Sequence, residues 1–351
     1  MTAPMLRARV SRVVLGLALV GSRSVTASPS SAGEARAQAA TTIQVEGRVT
    51  SGTEGHEPAG DLTVRLVGLD EGEVAEAVEA EVRDGRYAVD APASPGRTYI
   101  PHLVYEGVDY FAPPVAVDEA SSATRDFLVY ATTDEAPQLA ITSTVVTVLA
   151  IDREQGQIGI EREDLVANPD DRVFVGDEAG VTLRIPSPEA TLNASGQNAD
   201  GEFTFENGVV STTVPLRPGT LTSIVTRYLV EYDMAEDRYR LRVTAPLPTG
   251  EVRARVPVGF ARAVEPGDGA RRAEDEEAGR ADEQAMRVAE ATAPLSPGDG
   301  LLVDLVGLSG AAVQSNPLTE SGGSSAALVA ALVVIGGGVT VAARRRRDRD
   351  A

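Results

Sequence analysis

Short runs of alternating apolar and polar residues occupy the first third of the chain. In TIQVEGRVT, Ile43 and Val45 have polar neighbours, and this period of two is typical of strands with one buried face. Asp84 and Gly85 stand between the similar runs EAEVR and RYAVD, where they predict a tight hairpin turn. The pattern predicts antiparallel β-structure, with strands at 43–49, 62–66, 99–105, 108–111 and 125–130.

Residues 73–82 (EVAEAVEAEV) carry conflicting signals. Valines spaced by four and abundant Glu and Ala favour a helix. The adjacent hairpin turn and the short connections favour a strand instead. We predict a strand here.

The second half continues the β pattern with longer apolar runs. Residues 138–151 (QLAITSTVVTVLAI) predict a long strand, and Gln155-Gly156 predicts the turn to its partner, which starts at 157–161. Pro and Gly recur between the runs, as in a β-sandwich. Further strands are predicted at 181–185, 201–205, 209–214, 221–233, 239–245 and 251–260.

Residues 261–294 interrupt this pattern because they are dense in Glu, Asp, Arg and Ala. We interpret them as an acidic insertion, either a solvated helix or a flexible segment. Residues 301–308 (LLVDLVGL) are apolar again, so they are predicted to return to the sheet as a strand.

The N-terminus has the layout of a secretory signal peptide. Arginines in LRARVSR precede the short apolar run VVLGLALVG, and small residues follow, with cleavage predicted after Ala27 or Ala39. The apolar run is much shorter than the roughly 20 residues that a membrane span needs. Residues 1–39 are therefore predicted to be a leader that is removed on export.

The C-terminus predicts one transmembrane helix. Residues 326–343 (AALVAALVVIGGGVTVAA) carry no charge, and as a helix they would rise about 27 Å, close to the ~30 Å hydrocarbon core. Arginines at 344–347 follow at once, which predicts a stop-transfer signal with residues 344–351 in the cytoplasm. The protein is therefore expected in the cell membrane, with its bulk extracytoplasmic, either periplasmic or on the cell surface.

An alternative for the C-terminus stays open. The Gly-Gly pair in SGGS (321–324), followed by the apolar span and the basic end, resembles the sorting signals of some bacterial surface proteins. NPLT (316–319) resembles a sortase site that lacks the usual glycine after the threonine. This resemblance implies that a processing enzyme removes the helix.

Four short motifs in residues 43–133 resemble the carboxypeptidase regulatory-like modules, which are small transthyretin-type β-sandwiches. They are VEGRV (45–49), PAG (58–60), DGRY (84–87) and YEGVDY (105–110). The resemblance implies a scaffold or binding unit that carries no catalytic residues of its own.

The second half has a looser resemblance. NPDDRVFVG (168–176) and PLRPG (215–219), the latter leading into RYLVEYD, are similar to membrane-proximal regions of some uncharacterised bacterial surface proteins. We therefore expect an all-β protein with two β-sandwich domains outside the membrane. Its predicted parts are a leader (1–39), a regulatory-like sandwich (40–134), a second sandwich (135–310) containing the insertion, a tether (311–325), the helix (326–343) and a basic tail (344–351).

Composition and charge exclude several classes of protein. The 351 residues are 42% hydrophobic, enough for real cores, but include no Cys, which excludes disulfides, thiol nucleophiles and a lipidated N-terminal Cys. The net charge is −20, which repels nucleic acid and anionic headgroups. Apart from the membrane, we expect an unidentified protein or cell-envelope partner and no nucleic acid.

Few residues suggest chemistry. The two histidines, His56 and His102, lie far apart in sequence, and without Cys they do not form a zinc motif. There is no G-x-S-x-G elbow or phosphate-binding glycine motif, and Ser195 in NASGQN is interpreted as a loop serine. We predict no catalytic residue and no cofactor.

Calcium is the one ligand that the sequence raises. Asn168, Asp170, Asp171 and Asp177 supply hard oxygens within ten positions, and Ca²⁺ takes six to eight such ligands. Their spacing does not fit an EF-hand loop, and a turn capped by Asn and Asp side chains is the alternative interpretation.

These observations predict a non-catalytic, membrane-anchored extracytoplasmic protein that displays acidic β-sandwich domains for binding or structure. The alternative is an exported carboxylate-dependent hydrolase, because a catalytic pair of acids is defined by geometry and not by spacing.

Overall fold

The computed structural model describes residues 42–117, 122–198, 200–277 and 284–309. Every element named in these ranges is a β-strand, which confirms the predicted all-β fold class. No helix in the described ranges is long and apolar enough to span a membrane. The predicted leader (1–39), tether, helix (326–343) and basic tail lie outside these ranges, so their placement stays a prediction.

The first half of the described chain contains nine strands in two sheets. One sheet has the order β4-β1-β8, with β9 also pairing with β1; the other has the order β3-β2-β5-β6, with β7 on β5. The strands are β1 (Thr42–Ser51), β2 (Thr63–Asp70), β3 (Glu73–Glu81), β4 (Arg86–Pro92), β5 (Thr98–Tyr105), β6 (Val108–Phe111), β7 (Val115–Ala116), β8 (Ser122–Thr124) and β9 (Phe127–Val129).

One hydrophobic core lies under both of these sheets, as in a β-sandwich. Ile43 and Val45 on β1 are fully buried, and they share this core with Leu66 on β2 and Tyr99 on β5. Burying each such side chain contributes about 1.5–3 kcal/mol. The alternation read from the sequence therefore identifies the inward face of β1.

The contested segment is a strand, as predicted. β3 pairs antiparallel with β2 along its whole length, and Val78 and Ala80 pack against the core. Tertiary pairing thus outweighs the local helix propensity. Asp84 and Gly85 have φ angles of 50° and 68°, as a tight hairpin turn with two left-handed residues requires.

The second half contains the remaining fifteen strands. β15-β18-β12-β11-β20-β23-β22 form a seven-stranded sheet; β14-β17-β16 and β19-β24-β21 form three-stranded sheets, and β10 pairs with β13. The strands are β10 (Thr132–Thr133), β11 (Ala140–Asp152), β12 (Gln157–Ala167), β13 (Val173–Phe174), β14 (Leu183–Pro186), β15 (Thr191–Gln197), β16 (Phe203–Glu206), β17 (Val209–Thr212), β18 (Leu221–Glu231), β19 (Arg238–Thr244), β20 (Thr249–Pro257), β21 (Ala263–Pro266), β22 (Ala270–Arg272), β23 (Met286–Ala291) and β24 (Gly300–Val306).

The acidic segment 261–294 is not a helix or an unpaired loop where the structure describes it. It contributes β21, β22 and β23, and β23 pairs with β20 while burying Val288 and Ala289. The expectation of a solvated helix or flexible segment is therefore wrong for these residues. Pairing with apolar strands brings them into the sheets despite their charge. The predicted strand at 301–308 is confirmed by β24, which pairs with β19 and β21.

Ser195 is also placed differently from the prediction. It lies in β15 and pairs with Arg227 on β18, so it is not a loop serine. The ring of Phe203 covers the neighbouring Gly196, where a Cβ atom would lie 2.0 Å from the ring. This close approach explains why position 196 is a glycine.

Candidate functional site

The two hydrophobic cores meet at the short strand β13. Val173 packs into the first core, whereas Phe174 belongs to the second, because consecutive strand residues point to opposite faces. β13 pairs in parallel with β10, which follows the first sandwich in sequence. We call this region the joint; it comprises Thr53, His56, Glu106, Asp109, Tyr110, Thr132, Asp171, Val173 and Arg217.

Thr53 forms a buried polar contact across the joint. Its hydroxyl donates to the carbonyl oxygen of Asp171 at 2.6 Å and accepts from the amide of Ala131 at 3.0 Å. The Asp171 carboxylate accepts from the amide of Glu54 at 2.8 Å. Thr53 is only 4% exposed, so these bonds satisfy a group that water does not reach.

Glu106, in the turn between β5 and β6, makes the second polar contact. Its Oε2 accepts from the amide of Thr132 at 2.7 Å and from the hydroxyl of the same residue at 3.0 Å. His56 Nε2 lies 3.4 Å from Glu106 Oε1 and 2.7 Å from the hydroxyl of Tyr105. Burial acts to raise the pKa of Glu106, but the bonds from Thr132 outweigh it and hold that pKa below its usual value.

Arg217 makes the third contact, from the second half to the first. Its Nη2 donates to the carbonyl oxygen of Asp109 at 2.7 Å, and its guanidinium lies 5.7 Å from the ring centroid of Tyr110. Asp200 pairs with the same guanidinium at 3.0 Å. The arginine therefore combines an ion pair, a hydrogen bond and a cation–π contact.

His102 lies next to this contact on the outer side of β5. Its ring stacks on Phe111, with centroids 4.8 Å apart, and its Nε2 lies 2.5 Å from Asp109 Oδ1. His56 contacts a different carboxylate, that of Glu106. Each histidine is thus engaged with its own local partners.

Asn168 folds the loop that carries three of the four calcium candidates. Its Nδ2 donates to the carbonyl oxygens of Arg172 and Leu216, both at 2.8 Å, and its Oδ1 accepts from the amide of Asp170 at 3.0 Å. The side chain is 5% exposed. Asn168 therefore organises the turn that precedes β13.

Asp177 lies in the next turn along the chain. Its Oδ1 accepts from the amides of Ala179 and Val181, and its Oδ2 pairs with Arg184 at 2.8 Å. The bond from Arg184 and these amides lower the pKa of Asp177. Turns capped by Asn and Asp side chains, the alternative interpretation, describe both loops.

No group of three or more His, Asp or Glu side chains is arranged to hold a metal ion within the described ranges. The calcium assignment remains a prediction without support from these contacts.

A buried ion pair in the second core was not expected from the sequence. Arg162 and Asp164 are 3% and 0% exposed in their side chains, and they share the inward face of β12 with apolar residues. The pairing is bidentate, with N–O distances of 2.8 and 3.0 Å. Thr144 donates to Asp164 at 2.6 Å, and Arg162 donates to the carbonyl oxygen of Thr244 at 3.0 Å. The sequence does contain a signal for this ion pair, because Arg162 and Asp164 occupy positions of β12 that the alternation of apolar and polar residues assigns to the core.

Comparisons with known proteins give little further information. No protein-family model matches the sequence, and neither does any curated protein. An M1 zinc metallopeptidase from Deinococcus radiodurans is similar with a TM-score of 0.31 and 9% identity, over 48% of this chain. The match spans 42% of the metallopeptidase's length.

Two pilins are also similar over more of the chain. The major pilin SpaD from Corynebacterium diphtheriae has a TM-score of 0.18 and 10% identity, over 74% of this chain and 81% of the pilin. The T6 backbone pilin of serotype M6 Streptococcus pyogenes has a TM-score of 0.17 and 7% identity, over 78% and 79%. These likenesses assign neither a family nor a function.

Replacing Glu106 by glutamine is expected to weaken the joint. The loss of a charged acceptor for two bonds should reduce the free energy of unfolding by about 1 kcal/mol. The pKa of Glu106 is lower in the folded state than in the unfolded state. The stability that its charge contributes is therefore complete above the unfolded-state pKa and is lost as the pH falls through the folded-state pKa.

The measurement is urea unfolding of both proteins across a pH series. The difference in free energy of unfolding between the two proteins should shrink below about pH 4.3, the ordinary pKa of glutamate. Glu178→Gln, at an exposed turn, is the control and should change nothing. A pH-independent difference would contradict the role given to the Glu106 charge.

Proposed function

We propose that this chain is a non-catalytic, membrane-anchored extracytoplasmic protein whose acidic β-sandwich domains bind or space a partner in the cell envelope. The joint is the observation that supports it best. Glu106 and Arg217, residue types that elsewhere serve chemistry, here bond the two halves to each other, and His56 contacts Tyr105 and Glu106 within the first half.

A fixed joint suits a binding platform or spacer. Residues Thr42 to Ser309 lie within one compact unit, so the two cores do not form separate units. Val173 in the first core and Phe174 in the second make their relative movement costly, because both side chains would have to leave their cores. The carboxypeptidase regulatory-like resemblance, which is a hypothesis, is consistent with a scaffold.

The membrane anchor and the export signal are part of the proposal and rest on the sequence alone. Protease added to intact spheroplasts should digest residues 40–325 and leave the basic tail protected. An ectodomain that survives this treatment would contradict the topology. Release of the chain by a sorting enzyme would favour the alternative reading of SGGS and NPLT.

The proposal that the protein is not an enzyme is tested on the purified full chain. We expect no turnover of peptide, ester, glycoside or phosphate libraries, and we expect His56→Ala combined with His102→Ala to change stability alone. Hydrolysis that is abolished by mutating either of two carboxylates about 5–10 Å apart would establish the hydrolase alternative.

A further inference from the structure

The strand β15 forms one edge of the seven-stranded sheet, where it pairs with β18 alone. The amide of Tyr232 donates to the carbonyl of Gly156 at 2.8 Å, so the even-numbered residues of β18 bond to β12. The odd-numbered residues of β18, including Arg227, therefore bond to β15. This assignment determines which backbone groups of β15 are left over for another strand.

Two residues of β15 direct their backbone groups away from β18. Ala194 and Gly196 lie opposite Tyr228 and Thr226, which are even-numbered residues that bond to β12. Because antiparallel pairs alternate, the amides and carbonyls of Ala194 and Gly196 point outward from the edge of the sheet. No described residue bonds to these groups. Such an edge is a template for a further strand.

β15 has no charged residue and no proline, the two features that most often protect an edge strand. Among the named strands of four or more residues, only β5, β15 and β17 contain no Asp, Glu, Arg or Lys, and β5 and β17 are paired on both sides. The edge strands β3, β4 and β19, by contrast, all carry charged side chains. The bulge in β15 lies between Thr191 and Asn193, before the two outward residues, and it leaves Leu192 49% exposed.

The regular part of β15 is symmetric about Ser195. In NASGQ (193–197) an amide side chain stands at each end, and the small residues Ala194 and Gly196 flank the serine. Asn193, Ser195 and Gln197 share the face of the sheet that points away from the core, since they lie opposite the half-buried odd-numbered residues of β18. None of these three side chains hydrogen-bonds to another residue that the structure describes. A twofold axis at Ser195 would therefore place like groups opposite like groups.

We propose that two copies of this chain associate by antiparallel pairing of their β15 strands about a twofold axis at Ser195. Ala194 then lies opposite Gly196 of the second copy, and the two residues exchange both of their backbone hydrogen bonds. Asn193 lies opposite Gln197 of the second copy, so the two amide side chains bond to each other. The same patch contacts itself, as it does in twofold dimers generally. This self-association goes beyond the function proposed above and is independent of it.

Electrostatic repulsion opposes this pairing. The chain carries a net charge of −20, and Glu189 and Glu202 lie just before and just after the paired segment. Two copies therefore repel each other, and salt screens that repulsion. On the face of the sheet, Arg227 lies opposite Ser195 but is already paired with Glu161 at 2.8 Å. We expect a weak dimer that salt strengthens, because few residues form the contact.

Sedimentation of the full chain in mild detergent measures the association across a range of protein concentrations. We expect a monomer–dimer equilibrium whose dissociation constant falls by about threefold or more between about 50 and 500 mM salt. Hydrogen exchange at the amides of Ala194 and Gly196 should slow as the protein concentration rises. Ala194→Pro should abolish the dimer with little change in melting temperature, because the amide that it removes bonds to no strand.

Charged variants test the position of the axis. Ser195→Glu and Ser195→Arg should each weaken the dimer by about tenfold or more, because two like charges then lie opposite each other. A mixture of the two variants should dimerise again, since the charges are now opposite. Gln44→Glu, at an exposed position of β1, is the control and should leave the association unchanged.

Disulfide formation tests the register directly. The chain contains no Cys, so one introduced thiol reports one contact. The two copies of residue 195 form a non-hydrogen-bonded pair, whose Cα atoms lie about 4.5 Å apart and within reach of a disulfide. Diamide should therefore link Ser195→Cys into a covalent dimer and leave Gln44→Cys monomeric. Asn193→Cys should link to Gln197→Cys in a mixture and should not link to itself.

A chain that stays monomeric at every salt concentration overturns the proposal. A dimer that Ala194→Pro and both charged variants leave intact forms through other residues and overturns it too. Equal cross-linking of Ser195→Cys and Gln44→Cys, or protection of the Ala194 and Gly196 amides without a dimer, has the same consequence. None of these results alters the turnover screen or the protease test, so failure here is distinct from failure of the proposed function.

Discussion

Replacing Asp164 by alanine is expected to lower the free energy of unfolding by about 3–5 kcal/mol. The substitution leaves Arg162, whose side chain is 3% exposed, buried without its counter-charge. It also leaves the hydroxyl of Thr144 without the acceptor that lies 2.6 Å away. Burying an unpaired charge is among the most costly single changes that a core can undergo.

Urea unfolding followed by circular dichroism measures this effect. Glu81→Ala is the matched control, because Glu81 and Arg83 are also 2.8 Å apart but their side chains are 72% and 82% exposed. Exposed pairs contribute about 0–1 kcal/mol, so the control should unfold almost like the unaltered protein. Equal effects of the two substitutions would refute the role assigned to burial.

A double substitution distinguishes the charge from the packing. Arg162→Met with Asp164→Leu removes both charges and keeps apolar volume at the site. Replacing a buried ion pair by apolar residues is often neutral or stabilising. The double variant should therefore be more stable than Asp164→Ala alone, despite the bonds lost at Thr144 and at the carbonyl of Thr244.

Most strands of the first sandwich could be predicted because their signals are local; the short strands β7 and β8 were not predicted. Ile43 and Val45 alternate with polar residues, and Asp84-Gly85 is a turn sequence whose left-handed φ angles the structure contains. Even residues 73–82, which have helical composition, were assigned correctly once the neighbouring turn was considered. Local pattern and tertiary pairing agree at β1 and at the hairpin turn, whereas at 73–82 the pairing with β2 outweighs the local helix propensity.

The strands β15, β21, β22 and β23 could not be predicted, because their pairing decides their conformation. β15 contains Asn, Ser and Gly, which disfavour strands, yet it pairs with β18 along most of its length. β23 belongs to an acidic segment and is held by β20. Sequence patterns indicate which side chains are buried, but they do not indicate which strand pairs with which.

The joint was beyond prediction for a related reason. Its bonds connect residues that are distant in sequence, such as Thr53 with Asp171 and Arg217 with Asp109. The Asn and Asp residues at 168–177 suggested a cation, and this assignment stays a prediction. In the structure, oxygens of Asn168, Asp171 and Asp177 accept peptide amides. A cluster of Asn and Asp has the same composition in either role, so the sequence does not distinguish a turn from a cation site.

Replacing Leu305 by aspartate is expected to unfold the second core. Leu305 is fully buried near the C-terminal end of β24, which pairs with β19 on one side and β21 on the other. Loss of a buried leucine side chain costs about 2–5 kcal/mol, and a buried unpaired carboxylate adds to that cost. The sum is comparable to the 5–15 kcal/mol by which most domains are stable.

Near-ultraviolet circular dichroism and the melting temperature test this expectation. Leu221→Asp is the matched control, because Leu221 is 51% exposed and the same substitution there should cost no more than about 0.5 kcal/mol. Deletion of residues 265–290 should also destabilise the protein, since it removes β22 and most of β23, which pairs with β20. A folded Leu305→Asp protein with unchanged melting would mean that β24 is not part of the core. A deletion without effect would restore the interpretation of this segment as a dispensable insertion.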